Sequence, residues 1–289
     1  MSPTVSIVCP VKNMEGRLQN LNSWLKECDS HFQIILVCDS STDKTVEELR
    51  KMKESLPSNQ IEIIEGAYGS PGAARNAGFE CARSEWVIFW DSDDVGNPEE
   101  LISCLATQSG DLLDAVVFGY DIYSGDVSRS DWTSWPISHE KSMEKLSLNP
   151  GIWRICFRRS SIINLKFPNL KMAEDQLFIN DFMQELPKLE FSNAVIYKYF
   201  VNVSNQLTSN RNALEDLREA ANLLAAKLGG ESGAGIFTMR IYGKILLTQM
   251  KKCNISTKFQ AGLRMILLYA KHPAETSLLI KSILAEKSQ

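Results

Sequence analysis

A chain of 289 residues, 44% hydrophobic and 23% charged, is long enough for a sizeable core and too apolar for disorder. Its net charge of −4 argues against a nucleic-acid surface, and three scattered histidines (His31, His139, His272) argue against a histidine-held zinc. Seven cysteines form no CxxC pair and read as reduced thiols. No run approaches the ~18 apolar residues of a spanning helix, and the opening MSPTVSIVCP has neither the basic nor the apolar region of a secretion signal, so a cytoplasmic protein is expected. The Asn-x-Ser sequons at Asn202 and Asn254 are then chance matches. Charge is uneven along the chain: residues 211–289 carry twelve Lys/Arg against six Asp/Glu, leaving a balance of −10 in residues 1–210. A phosphate-bearing ligand on that acidic part calls for a compensating cation.

VSIVCPV (5–11) is a continuous apolar run, as in a strand buried on both faces. Residues 15–28 suit a helix, QIILVC (33–38) a second strand, and 43–55 a second helix with Thr42 as its cap. IEIIE (61–65), a small-residue helix at 72–82, WVIFW (86–90) and a helix at 99–108 opened by Pro98 continue the alternation. Such alternation implies parallel strands joined by right-handed crossovers, with ligands beyond the carboxyl ends of the strands. That singles out residues 10–13, 38–43, 66–75 and 91–94. Further on, DAVVFGYDIY (114–123) reads as a strand, 124–138 with Trp132 and Trp135 as a loop, and GIWRICF (151–157) as a strand. AEDQLFINDFMQEL (173–186) reads as an amphipathic helix and VIYKYF (195–200) as a strand. From about residue 210 the pattern is helical, with breaks at 229–235, near Asn254, and at His272-Pro273.

Chemistry concentrates at four places. Trp90-Asp91-Ser92-Asp93-Asp94 sets three carboxylates directly after an apolar strand. In an extended backbone Asp91 and Asp93 point the same way, and like charges that close favour a hard cation between them. The alternative is a polar turn that merely ends the strand. CDSSTDKT (38–45) puts Asp39 at a strand tip, where it can meet a base or ribose, and Asp43 near a helix start, where capping is the plain reading. GSPGAARNAG (69–78) lets the backbone approach a ligand and projects Arg75 from the start of a helix, suited to a pyrophosphate. Glu174 and Asp175 open an amphipathic helix, where they also complement its dipole. No G-x-G-x-x-G follows the first strand, which disfavours a nicotinamide enzyme.

Together these segments resemble family 2 glycosyltransferases of the GT-A fold, over about residues 4–208. VSIVCPVKN, IILVCDSSTDKT and GSPGAARNAGFECARSEWVIFWDSDD match the family's blocks in order and spacing. LKMAEDQLF resembles its later Glu-Asp element, and VIYKYFVNVSNQLT its tyrosine-rich strand more loosely. The resemblance implies an α/β fold: a Rossmann-like mixed sheet flanked by helices, with an all-helical C-terminal extension. It divides the chain into a nucleotide-sugar half (1–112), an acceptor half (113–208) and the extension (209–289). It implies an inverting hexosyl- or hexosaminyltransferase using a nucleoside diphosphate sugar, uridine diphosphate being commonest, and a divalent cation, manganese or magnesium. The acceptor would be a glycan or a lipid-linked sugar in polysaccharide assembly.

By the same resemblance Pro10, Lys12, Asp39, Asp43, Arg75, Asp91, Ser92 and Asp93 line the donor, and Asp91, Asp93 and Asp94 share metal and ribose. Asp175 is the base, Glu174 its orienting partner, and Trp153 an acceptor platform or a core tryptophan. Three departures stand out: Cys38 replaces the first aspartate of a pair, Lys12 a frequent aromatic, and Phe200 an arginine that Arg211 could replace. They leave open a non-catalytic sugar-binding relative, and, more remotely, a sugar-phosphate nucleotidyltransferase. In the extension, Arg240, Lys244 and Lys251 fall on one face, Lys252, Lys258, Arg264, Lys271, Lys281 and Lys287 continue the basic trend, and 255–272 is amphipathic. Such helices suit a peripheral membrane contact, or a bundle with solvated lysines.

Overall fold

The protein is described from a computed structural model, in which residues 4–56, 61–107, 113–124, 127–129, 139–201, 213–228, 233–273, 276–277 and 280–281 are placed. Four strands, β1 (Val5–Val11), β2 (Phe32–Asp39), β3 (Ile61–Gly66) and β4 (Trp86–Phe89), pair in parallel in the order β3-β2-β1-β4. The helices between them are α1 (Gln19–Leu25), α2 (Thr45–Ser55) and α3 (Pro71–Cys81). All but one position of β1 is buried, and all of β2 and β4, as continuous apolar runs require.

Beyond β4 the pairing is mixed, antiparallel except for one parallel pair of long strands. The remaining strands are β5 (Val95–Gly96), β6 (Ala115–Ser124), β7 (Val127–Arg129), β8 (Ile155–Arg158) and β9 (Leu189–Phe200). The full order is β3-β2-β1-β4-β8-β6-β9-β5, with β7 paired to β6. This is the mixed sheet expected from the resemblance. The two-residue β5 brings the segment after β4 against β9, pairing Val95 with Lys198 and Gly96 with Tyr197. Helix α4 (Pro98–Thr107) follows, and the Asn97 side chain accepts from the Glu100 amide at 3.0 Å.

The chain forms two compact units, one holding the sheet and the other purely helical. The helical unit gathers residues 137–150 and 170–186 together with 205–289, so it takes in more than the expected extension. Its elements are α5 (His139–Leu148), α6 (Glu174–Gln184), α7 (Ala213–Lys227), α8 (Gly233–Lys252) and α9 (Ile255–Lys271). Helix α8 packs on each of the other four. Two buried polar pairs tie its helices: Thr238 Oγ1 donates to Asn180 Oδ1 at 2.7 Å, and Gln249 Nε2 to the Leu217 carbonyl at 2.6 Å. Among the described residues no helix is long and apolar enough to cross a membrane.

Several sequence readings shift. The helix expected over 15–28 is only Gln19–Leu25, because Asn13–Gly16 are tied to the loop after β2. GIWRICF is not one strand: Ile152–Arg154 form a 3-10 turn before β8. That turn folds Arg154 onto β6, where Nε donates to the Phe118 carbonyl at 2.9 Å and the guanidinium lies 4.5 Å from the Tyr120 ring. Thr42 does not cap α2, whose N-cap is Lys44 without a side-chain bond. Arg240 and Lys244 do not form an open basic face: Lys244 donates to the Leu148 carbonyl at 2.6 Å and Arg240 to Ser147 Oγ at 3.4 Å, anchoring α5. Most of the loop expected at 124–138, the sequon at Asn202, Arg211 and Lys287 lie outside the described residues.

Helix α3 lies close on the sheet at Gly78, where a Cβ would overlap the side chains of Val8 and Val37. Gly78→Val should therefore cost about 1–3 kcal/mol of stability, read from the urea midpoint. An unchanged midpoint would mean that α3 does not pack this tightly.

Candidate functional site

The carboxyl ends of the parallel strands end in strained backbone. Asn13 after β1, Ser40 after β2 and Gly69 after β3 all have positive φ, at 50°, 49° and 81°. The loops after β1 and β2 hold each other. The Asn13 amide donates to Ser41 Oγ at 3.1 Å, and the Thr42 amide to Asn13 Oδ1 at 2.9 Å. The Met14 amide donates to Thr45 Oγ1 at 2.6 Å and the Glu15 amide to Asp43 Oδ2 at 3.1 Å, while Asp43 Oδ1 accepts from the Thr45 amide at 3.1 Å. Asp43 thus braces the loop.

Asp39 is the centre of a second cluster. Its Oδ1 accepts from the amides of Tyr68 (2.8 Å) and Gly69 (2.9 Å), and its Oδ2 from Lys12 Nζ (3.0 Å). Burial opposes ionisation, but the Gly69 amide, Lys12 and the Tyr68 amide outweigh it and hold the carboxyl below its ordinary range. Lys12 is exposed, and Pro10 lies within β1 just below it. Cys38 points into the core, and burial raises its thiol to about 11, so this departure from the family leaves Asp39 in place.

After β4 the backbone turns. Residues 92–94 form a turn in which the Asp94 amide reaches the Asp91 carbonyl at 3.4 Å, so the extended arrangement expected for Asp91 and Asp93 is not what forms. Asp94 is 1% exposed and accepts from Tyr197 Oη at 2.8 Å and from the Phe200 amide at 2.7 Å. The Tyr197 hydroxyl also accepts from the Asp91 amide at 3.2 Å. Asp94 is thereby a clamp between the turn and β9, with both carboxyl oxygens engaged. Burial and the charges of Asp93 and Asp91 push it well above the carboxylate range.

Asp91 and Asp93 remain partly exposed. Asp91 Oδ1 takes a 2.8 Å bond from Nη2 of Arg75, whose side chain is 6% exposed. The guanidinium lies 5.6 Å from the Phe167 ring, and Asn76 holds Phe167 by two 2.9 Å bonds to its backbone. Burial, then the charge of Asp91, raises Asp93 to about 6, with Arg17 opposing. Beneath them Cys9 is fully buried. Burial pushes its thiol well up, the charges of Asp91 and Asp93 push it further, and Arg75 opposes them. Ser92 is buried.

Among the described residues no three His, Cys, Asp or Glu side chains form a metal cage. Two neighbouring carboxylates, Asp91 and Asp93, fit a hard cation that draws its other ligands from water and phosphate.

Trp153 is 8% exposed, stacked with Tyr197 (4.8 Å) and Tyr199 (5.4 Å) and edge-on to Tyr120 (4.4 Å). It belongs mainly to this aromatic core and presents little ring face for a sugar. Phe200 stacks on Tyr123 at 5.2 Å. In the helical unit, Glu174 is buried and Asp175 partly exposed in the first turn of α6. Asp175 Oδ1 accepts from the Gln176 amide at 2.8 Å. The preceding Ala173 is left-handed, with φ 67°, a costly conformation for alanine.

Sequence reasoning missed Tyr197, Tyr68, Arg17, Asn13 and Asn76. Only the positive-φ tolerance of Asn13 and the tyrosine-rich run around 197 carried any signal.

Against known proteins, the family model described as Glycosyl transferase family 2 matches residues 6–165. An "Uncharacterized glycosyltransferase" of Haemophilus influenzae is 30% identical over 64% of this chain and 73% of its own. The poly(ribitol-phosphate) beta-N-acetylglucosaminyltransferase TarS of Staphylococcus aureus is 27% identical over 77% of this chain, which spans 40% of TarS. Among solved structures, S. aureus TarS 1–349 in complex with UDP-GlcNAc superposes with a TM-score of 0.68 at 21% identity, covering 96% of this chain and 83% of that one. The mannosyltransferase PcManGT of Pyrobaculum calidifontis, with GDP-Man and Mn2+, has a TM-score of 0.54 at 14% identity, covering 98% and 87%.

Two tests follow from the geometry. Tyr197→Phe removes a donor from buried Asp94 and should cost about 1–3 kcal/mol in chemical denaturation; an unaltered stability would mean the clamp is not formed. Asp39 has a lowered folded pKa, so its stabilisation is complete above its unfolded value of about 3.9 and is lost as pH falls through the folded value. Asp39→Asn should accordingly lose stability less steeply than the native chain below about pH 4. Identical acid limbs would count against the depressed carboxyl.

Proposed function

The chain belongs to glycosyl transferase family 2, and on that footing we propose that it transfers a sugar from a uridine diphosphate donor to a hydroxyl of a glycan or lipid-linked acceptor, with inversion. It is a glycosyltransferase using a nucleotide sugar; the donor, the acceptor and the residue roles below are our reading. The observation that carries them is the outward pair Asp91 and Asp93 beside buried Arg75 at the end of β4. The UDP-GlcNAc complex of TarS supports a uridine donor.

Asp39, kept ionised by two amides and Lys12, would accept hydrogen bonds from the nucleobase or ribose. Pro10 and Lys12 would border the base, and Ser92 would sit beside the ribose. Arg75 would set positive charge against the diphosphate, in the role taken elsewhere in the family by the arginine that Phe200 replaces. Asp91 and Asp93 would hold a divalent cation, manganese or magnesium, as in the Mn2+ complex of PcManGT. When bound, that ion supplies Lewis-acid neutralisation of the leaving diphosphate. Asp175 would take the proton of the acceptor hydroxyl, and Glu174 would orient it. With one base and no covalent nucleophile, a single displacement inverts the anomeric carbon.

The first experiment is nucleoside diphosphate release over a panel of sugar donors with Mn2+. Release from UDP-sugars supports the proposal, and pyrophosphate release would point instead to nucleotidyl transfer. Asp175→Asn should lower turnover by roughly 10²–10⁴-fold while UDP binding by calorimetry is preserved. A parallel loss of UDP binding would make Asp175 a structural residue. Asp93→Asn should weaken Mn2+-dependent UDP binding, whereas full activity in chelator would remove the cation from the reaction.

A further inference from the structure

Helix α9 has two apolar faces, and only one is covered. Ala261, Met265 and Leu268 are buried at 1–7% exposure, and α9 packs on α8. At roughly 100° per residue, the opposite side carries Ile255, Phe259, Leu263, Ile266, Leu267 and Tyr269, which are 48–87% exposed. A single exposed leucine needs no explanation, but six large apolar side chains along four turns do.

The rims of that face are basic. By the same helical spacing exposed Lys258 lies along one edge and exposed Lys271 along the other, while Arg264 is turned to the helical unit, donating to Asn222 Oδ1 at 2.8 Å. Helix α9 contains no Asp or Glu, and exposed Lys251 and Lys252 end α8 just before it. The helix is preformed: the Asn254 side chain caps it by accepting from the Thr257 amide at 2.9 Å, which is also the role of that sequon asparagine. A second copy docked on this face would set basic rims against basic rims with no carboxylate on α9 to answer them. An anionic bilayer surface answers both features at once, its headgroups taking the lysines and its acyl boundary the phenylalanine, isoleucines and leucines.

We propose that the outer face of α9 docks peripherally on an anionic lipid surface, with Phe259 and Ile266 entering the acyl boundary and Lys258 and Lys271 meeting the headgroups. This inference does not rest on the assignment of donor or base.

The test is co-sedimentation of the full chain with phosphatidylcholine vesicles with and without phosphatidylglycerol. Binding should be roughly tenfold or more tighter to the anionic vesicles at low salt and should fall as salt rises. The double variant Phe259→Glu/Ile266→Glu, at exposed positions, should keep its circular dichroism and UDP affinity and lose vesicle binding by at least about tenfold. In Phe259→Trp, the added indole should shift its emission to the blue on anionic vesicles. The proposal is overturned if the native chain ignores anionic vesicles or if the double variant binds them as well as the native chain does. It is equally overturned if ultracentrifugation shows a dimer that the double variant dissolves, because the face then belongs to a second copy.

Discussion

A carboxylate buried at a strand end needs hydrogen bonds on its oxygens, or it destabilises the fold that buries it. Asp94 meets that demand through Tyr197 and the Phe200 amide, and the same tyrosine hydroxyl receives the Asp91 amide. One phenol therefore fixes both ends of the turn to β9. With Asp94 facing inward, Asp91 and Asp93 are left partly exposed, and burial together with the charge of Asp91 raises Asp93. The aromatic stack of Trp153 on Tyr197 fixes the ring that makes this possible.

The neighbouring strand tips are built on the same economy of fixed backbone. Left-handed Asn13 and Ser40 turn the chain sharply, and the loops that follow bond to each other rather than to water. Asp39 draws two amides of the loop after β3 toward the tip of β2. The loops that border the proposed donor site are thus held before any ligand arrives, which lowers the ordering cost of binding.

The parallel half of the sheet was legible because β1, β2 and β4 are uninterrupted apolar runs separated by helix-period segments. The ends of α7, α8 and α9 were legible from glycine, asparagine and His-Pro punctuation respectively. What spacing could not show was direction. In Asp91-Ser92-Asp93-Asp94 the acids look alike in sequence, and only a tyrosine about a hundred residues later decides which one is buried. Arg240 and Lys244 read as a charged face because their partners, the carbonyl of Leu148 and the hydroxyl of Ser147, are on a helix that sequence reading took no account of. GIWRICF looked like a strand because the buried guanidinium that bends it has its acceptor on β6.

The route of the chain has a consequence for how the molecule can be divided. The polypeptide passes between its sheet unit and its helical unit five times. Helices α5 and α6 are made early but pack on α8, which comes more than forty residues after α6 ends. A polypeptide emerging from the ribosome therefore carries the α8-facing sides of α5 and α6 uncovered until α8 has been made. Cutting at residue 208, where sequence alone would place a boundary, removes the helix against which α5 and α6 pack. The C-terminal helices complete a core begun by earlier ones, and a version shortened there would aggregate rather than stand alone.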